Sequence, residues 1–244
     1  MPRNPKAPEK ELTQQQKEAI WKALHEEEAS IRRAVGNASV AWAGLESVLS
    51  HIFLTLAFEQ KDVEIAGVIF YTPSNFESRI SMVDNLMSYH FTVNAIPQTY
   101  MPQIYSIWPK LRGRIQTKQS RRNAIIHGNL MNQQRGASLR DRNIRLTPAF
   151  LDVLRQHKFR ASKQLPGMSS NDIIQFTNGV VRLAGLLIDY NLILKAYQKG
   201  RKAARGPILQ DQELFEAVNL LATKMTDQSQ NNQDQGQTDR HSHD

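Results

Sequence analysis

Ala38, Trp42, Leu45, Leu49, Ile52 and Leu56 recur at alternating spacings of four and three residues. A strand would need apolar residues at every second position, so this spacing admits only a helix with one stripe turned toward a core. The same period returns along most of the chain and predicts an all-α fold. Ahead of the stripe, Thr13 and Gln16 form a capping-box pattern for a mostly polar helix over residues 14–35. Gly36-Asn37 is the expected break before a second helix ending near Phe58. A short helix is predicted from Val63 to Phe70. In "YTPSNFESRISMVDNLMSYH", Ser74 and Glu77 make another capping box, and Phe76, Ile80, Val83 and Met87 supply the stripe. Pro97 and Pro102 punctuate a loop. The next helix is expected from about Ser106, which puts Pro109 in its first turn, to His127, with Gly128 just past its end.

Beyond Gly128 the chain becomes turn-rich and basic. Arg135-Gly136 reads as a turn between two short extended pieces, a hairpin or loop excursion, with one helical turn beginning at Pro148. Ser169 and Asp172 cap a last long helix, about Ser170 to Tyr197. It is apolar over a wide arc (Ile173, Ile174, Val180, Val181, Ala184, Leu187, Ile188, Leu194), as a helix packed on several neighbours would be. The expected organisation is a disordered lead-in over 1–12, an N-terminal helix over 13–36 and a bundle of four to five helices over 37–198. A basic linker over 199–210, an amphipathic helix over 211–226 and a disordered polar tail over 227–244 follow.

A length of 244 residues with 40% apolar content suits one main domain. The chain has no cysteine, which removes disulfides, thiol nucleophiles and cysteine-containing zinc sites and fits a reducing, cytoplasmic home. The N-terminus lacks an apolar signal core. The longest apolar run, Gly179 to Leu194, is interrupted by Arg182 and Asp189, so a soluble protein without a membrane partner is expected. The net charge of +8 is unevenly placed. Between Lys110 and Lys163 fourteen Lys or Arg face two acids, a local +12, leaving −4 for the rest of the chain. Basic charge concentrated in this way is the footprint of a polyanion binder, usually a nucleic acid.

Within that region, Trp108, Leu111 and Ile115 define a buried face whose continuation falls on Lys118, Arg122 and Ile126. An arginine thus stands where the pattern asks for an apolar side chain, and a half-buried arginine is costly unless paired. Five residues later His127 ends the helix, where the carbonyl end of the dipole welcomes positive charge. Asn123 shares a face with His127, four residues on. A histidine to move protons and a guanidinium to hold phosphate oxygens are sufficient for phosphoryl transfer without a metal. By chance, Arg-x4-His arises about once in two chains of this composition, and Arg-Asn-x3-His at a frequency of roughly 0.03. No glycine-rich phosphate loop, carboxylate cluster with metal spacing or Gly-x-Ser-x-Gly elbow occurs, so no metal or cofactor is expected. His51 and His90 read as surface or satisfied core residues, and Trp42 and Trp108 as core packing residues. His241 and His243 stand in the polar tail.

"RRNAIIHG" resembles the Arg-Asn-x3-His form of the Arg-x4–6-His motif of the HEPN superfamily, helical-bundle proteins of prokaryotic toxins, phage defence and RNA processing. "AWAGLESVLSHIFLTL", "FYTPSNFESRISMVDNL" and "SSNDIIQFTNGVVRLAGLLIDY" resemble the family's other helices in pattern, so that the likeness covers roughly Asn37 to Tyr197. The resemblance implies a homodimer whose two motif helices face each other, and cleavage of RNA by 2′-OH attack that leaves a 2′,3′-cyclic phosphate. His127 would then be the general acid/base, Arg122 the stabiliser of phosphorane charge and Asn123 an orienting amide, with Glu46 in support behind them. Arg114, Lys118, Arg121, Arg135, Arg140, Arg142 and Arg145 would hold the RNA backbone. The alternatives are a non-catalytic HEPN-like module that binds nucleic acid or a protein, and an assembly protein whose amphipathic segment Asp211 to Met225 docks into a partner. RNA and a second copy of the chain are the expected partners, with a cognate antitoxin or other partner protein as a further one.

Overall fold

The computed structural model describes residues 12–59, 61–92, 102–134, 139, 142–147, 167–203 and 216–227, and these are mostly helical. In chain order they form α1 (Gln14–Phe58), α2 (Val63–Tyr71), α3 (Phe76–Thr92), α4 (Pro102–Ile126), strands β1 (Asn129–Gln134) and β2 (Arg142–Thr147), α5 (Ser170–Ala203) and a final helix α6 over residues 216–227. The chain divides into two compact units. The first takes Met1–Ser39 with Arg121–Thr177, the second Val40–Ser120 with Asn178–Asp244.

In the first unit, the capping box at the start of α1 is formed in both directions. Thr13 N donates to Gln16 Oε1 at 3.1 Å and Gln16 N to Thr13 Oγ1 at 3.3 Å. The helix does not break at Gly36-Asn37; it continues for 45 residues. The reason is phase. Buried Leu24, Ile31, Ala34 and Ala38 stand at helical spacing in register with Trp42 and Leu45, so packing outweighs the roughly 1 kcal/mol that a mid-helix glycine costs. The units nonetheless part three residues beyond that glycine, between Ser39 and Val40. The hairpin is present, antiparallel from Asn129 opposite Thr147 to Gln134 opposite Arg142, with Ile144 and Leu146 buried. A further bridge joins Leu146 to Met168. The Arg135-Gly136 turn and the helical turn at Pro148 lie outside the described residues.

In the second unit, Trp42 packs on Phe76 with ring centroids 4.8 Å apart, and Trp108 stacks on Tyr190 at 6.2 Å. Both indoles are core residues, as expected. The stripe of α1 also makes one 18-residue window apolar enough (mean hydropathy 1.4) to cross a membrane by length and composition; 44% of that window is buried within the protein. Three boundaries differ from expectation. Helix α3 starts at Phe76, and its cap is Asn75, whose Oδ1 accepts from Ser78 N at 2.7 Å, whereas Glu77 accepts from Gln116. Helix α4 starts at Pro102, where proline's fixed φ suits a first turn, and Pro109 sits inside the helix, carried by the burial of Ile104, Ile107 and Trp108 around it. Helix α5 runs on to Ala203, through the first part of the expected linker, while 204–215 lie outside the described residues.

The wide apolar arc of α5 divides in two. Ile173, Val180, Leu187 and Leu194 are buried, whereas Ile174, Val181, Ile188 and Leu192 are exposed large apolar side chains.

Candidate active site at the end of helix α4

The last turn of α4 belongs to the first unit and carries Arg121, Arg122, Asn123 and His127. Ile125, rather than the expected Ile126, is the buried residue of this turn, at 1% exposure. Arg122 is half-buried, as its place in the stripe predicts, and Asn123 and His127 are exposed. The turn closes with His127 N donating to Asn123 O at 3.0 Å, and Gly128 N reaches Ile125 O at 3.4 Å. Gly128 has a negative φ, so it is not the left-handed helix terminator that its position suggested. A Cβ there would lie 2.7 Å from Ala124 O and 2.8 Å from Leu146 Cγ; glycine is required because β2 passes over the helix end.

Arg122 Nη1 donates to Asn123 Oδ1 at 3.2 Å, which joins two of the three motif side chains. No hydrogen bond to the His127 ring is present among the described residues. The arrangement is therefore a solvent-facing imidazole at the carbonyl end of a helix and, five residues before it in the chain, a guanidinium whose outer nitrogen is oriented by a neighbouring amide. Such a pair can exchange a proton with a bound hydroxyl and offer fixed positive charge to a phosphate.

Around this turn the other predicted cations are partly engaged. Arg121 Nη2 donates to Asp172 O at 3.4 Å, and Arg145 Nη1 lies 3.8 Å from Asp172 Oδ2. Asp172 also accepts from Ser169 N and Ser169 Oγ at 2.7 and 2.6 Å, the capping box expected for α5. The Arg142 guanidinium lies 5.4 Å over the ring of Trp21. Arg135 and Arg140 fall outside the described residues.

Glu46, Arg114 and Lys118 belong to the second unit. Glu46 is held inside it: Oε1 accepts from Trp42 Nε1 at 2.8 Å and Oε2 pairs with Arg79 Nη1 at 3.1 Å. Lys110, Arg114 and Lys118 step along one face of α4 into a groove of about 920 Å³. Arg182 of α5 lines the same groove, together with Gly179, Leu183, Met225 and Thr226, and no carboxylate is among its described lining residues. Arg114 Nη2 donates to Met225 O at 2.6 Å, and burial draws its guanidinium below the ordinary value. A Cβ at Gly179 would meet Lys118 Nζ at 2.6 Å, so this glycine makes room for the lysine. Sequence reading marked Arg114 and Lys118 but passed over Arg182, seen only as an interruption of an apolar run. The i, i+4, i+8 spacing was the available signal for Lys110; Arg182 reaches the groove through packing and had none.

His90 Nε2 bonds Leu56 O at 2.8 Å, a satisfied packing histidine; His241 and His243 lie outside the described residues. Among the described residues no group of three or more metal-ligating side chains comes together. No family model, no curated protein and no solved structure matches the chain.

Proposed function

We propose that this chain is a metal-independent endoribonuclease of the HEPN type, acting as a homodimer that brings two copies of the α4 terminus to one RNA strand. The observation that carries the reading is the last turn of α4, where the His127 ring is exposed and Arg122 Nη1 is held at 3.2 Å by Asn123. In the reaction, an imidazole takes the proton of a ribose 2′-OH as O2′ bonds to phosphorus. The P–O5′ bond breaks, a protonated imidazole returns a proton to the leaving O5′, and the products are a 2′,3′-cyclic phosphate and a 5′-OH. Arg122 balances the charge that accumulates on the phosphorane oxygens. The groove with Lys110, Arg114, Lys118 and Arg182 supports the reading as a seat for phosphate backbone. The exposed side chains at 174, 181 and 188 of α5 repeat every seven residues, as a self-pairing helix face would.

A second reading, a non-catalytic module that binds nucleic acid, is favoured by one observation: among the described residues no hydrogen bond orients the His127 ring. The two are separated by incubating the protein and its His127→Ala variant with single-stranded RNA in EDTA and assaying cyclic-phosphate ends. Cutting by the parent alone supports the enzyme. Equal, background cutting by both across several RNAs, with salt-sensitive binding retained, leaves the binding module.

A further inference from the structure

The first unit holds a second feature that none of the motif chemistry uses. Of the three tryptophans, Trp42 and Trp108 are 2% and 3% exposed, but Trp21 is 40% exposed. It borders a pocket of about 260 Å³ between α1 and the hairpin. Buried Leu24 and Ile144 form the apolar part of its wall, and Met131, 47% exposed, stands at its edge. His25, Glu28 and Asn132 add hydrogen-bonding groups. The volume is below the roughly 300–1,000 Å³ of pockets that take drug-sized ligands, which suits one small ring system.

We propose that this pocket is a stacking subsite for a single unpaired base of an RNA strand. The idea rests on the ribonuclease reading for its ligand, and four features of the pocket favour that occupant. An exposed indole offers aromatic surface, and Arg142, whose guanidinium lies over the ring 5.4 Å from its centroid, adds positive charge to one side of it. His25 Nδ1 bonds Trp21 O at 2.7 Å and so carries its hydrogen, which leaves Nε2 for the edge of a base. Both Nε and Nη2 of Arg32 donate to Glu28 Oε1, at 3.1 and 2.7 Å, so the one acid among the described lining residues is balanced by a cation. Finally, Leu130 of the lining is three residues from His127, a Cα separation of at most about 11 Å. A base seated here therefore belongs to a nucleotide near the one that His127 meets. A base-paired strand cannot present such a face, so the subsite selects single strands.

The test uses the full chain carrying His127→Ala, so that RNA remains intact. An unstructured, fluorescently labelled 12-mer is titrated, with anisotropy reading binding and tryptophan emission reading Trp21. Expected are emission quenching that saturates with binding, little quenching by the same sequence in a duplex, and binding weakened about 5- to 100-fold in Trp21→Leu. Trp21→Phe, which restores a ring, should recover most of that loss; comparable melting temperatures for the two variants place the difference in stacking rather than folding. Saturated binding without quenching, or equal affinity of Trp21→Leu and the parent, overturns the subsite. So does AMP alone if it quenches at the concentration that suffices for the 12-mer. Cleavage by the His127 form is scored separately. Trp21-dependent binding without any cutting removes the enzyme and keeps the subsite, whereas cutting indifferent to Trp21 does the reverse.

Discussion

Gly128 illustrates what a single position can disclose and conceal. Its place after a helical run was legible, but the reason for a glycine there was not, because its constraint comes from Leu146 and Thr147, eighteen and nineteen residues on. A Cβ would lie 2.8 Å from Leu146 Cγ and 3.0 Å from Thr147 O. Gly128→Ala should therefore destabilise the protein by about 1–3 kcal/mol, read as a melting temperature lowered by some 2–4 °C per kcal/mol. An unchanged melting curve would contradict the close approach. Glu46 teaches the converse. Its acidic character at a suggestive place was visible, but its partners Trp42 and Arg79 depend on packing that no local pattern encodes. Glu46→Gln keeps the size and removes the ion pair; a loss of about 1–3 kcal/mol in denaturant unfolding is expected. Arg122 was legible for a physical reason: a cation interrupting an apolar stripe shows wherever the period is clean.

At the level of elements, sequence pattern located the helices among the described residues, and the capping boxes of α1 and α5 were read correctly from four residues each. What failed were the punctuation residues. Gly36 and Pro109 were given more weight than the buried side chains on either side of them, and packing overrode both. The space around Gly36 is open, with nothing within 4 Å of a Cβ, and the residue is helical. Gly36→Ala should accordingly raise stability by roughly 1 kcal/mol, seen as a higher denaturant midpoint. A loss of stability would mean that the chain needs a flexible point there. The width of the α5 arc was legible, but a sequence cannot say which of its apolar residues are buried; Val181 and Ile188 are exposed. Val181→Glu with Ile188→Glu should leave the fold and melting curve close to the parent and halve the mass measured by light scattering, if that face pairs two copies.

For the molecule as a whole, charge and burial give two readouts. Replacing Lys110 and Arg182 by alanine should lower the slope of log affinity for single-stranded RNA against log salt by about 1.4, near 0.7 for each lost phosphate contact. Tyr190 is fully buried, with its hydroxyl 3.4 Å from Ile104 O, and burial raises its phenol far above the ordinary 10.0. The folded protein keeps that proton while the unfolded chain releases it near pH 10. Stability should thus be intact below about pH 10 and decline above it, by up to about 1.4 kcal/mol per pH unit from this group, and Tyr190→Phe should flatten that decline. The candidate site was legible as a list of residues and not as a place, since its surroundings are assembled from distant stretches. Asp172 shows this best: it caps α5, lies 3.8 Å from Arg145 on β2, and through its carbonyl meets Arg121 on α4. Those partners are separated by 27 and 51 residues, and loop closure over such distances is slow relative to helix formation. In time, then, the knot around Asp172 is a late event: in pulsed hydrogen exchange during refolding, the amides of β1 and β2 should gain protection after those of α1, so a newly made chain would be helical before the surroundings of Arg121 and Arg145 were assembled.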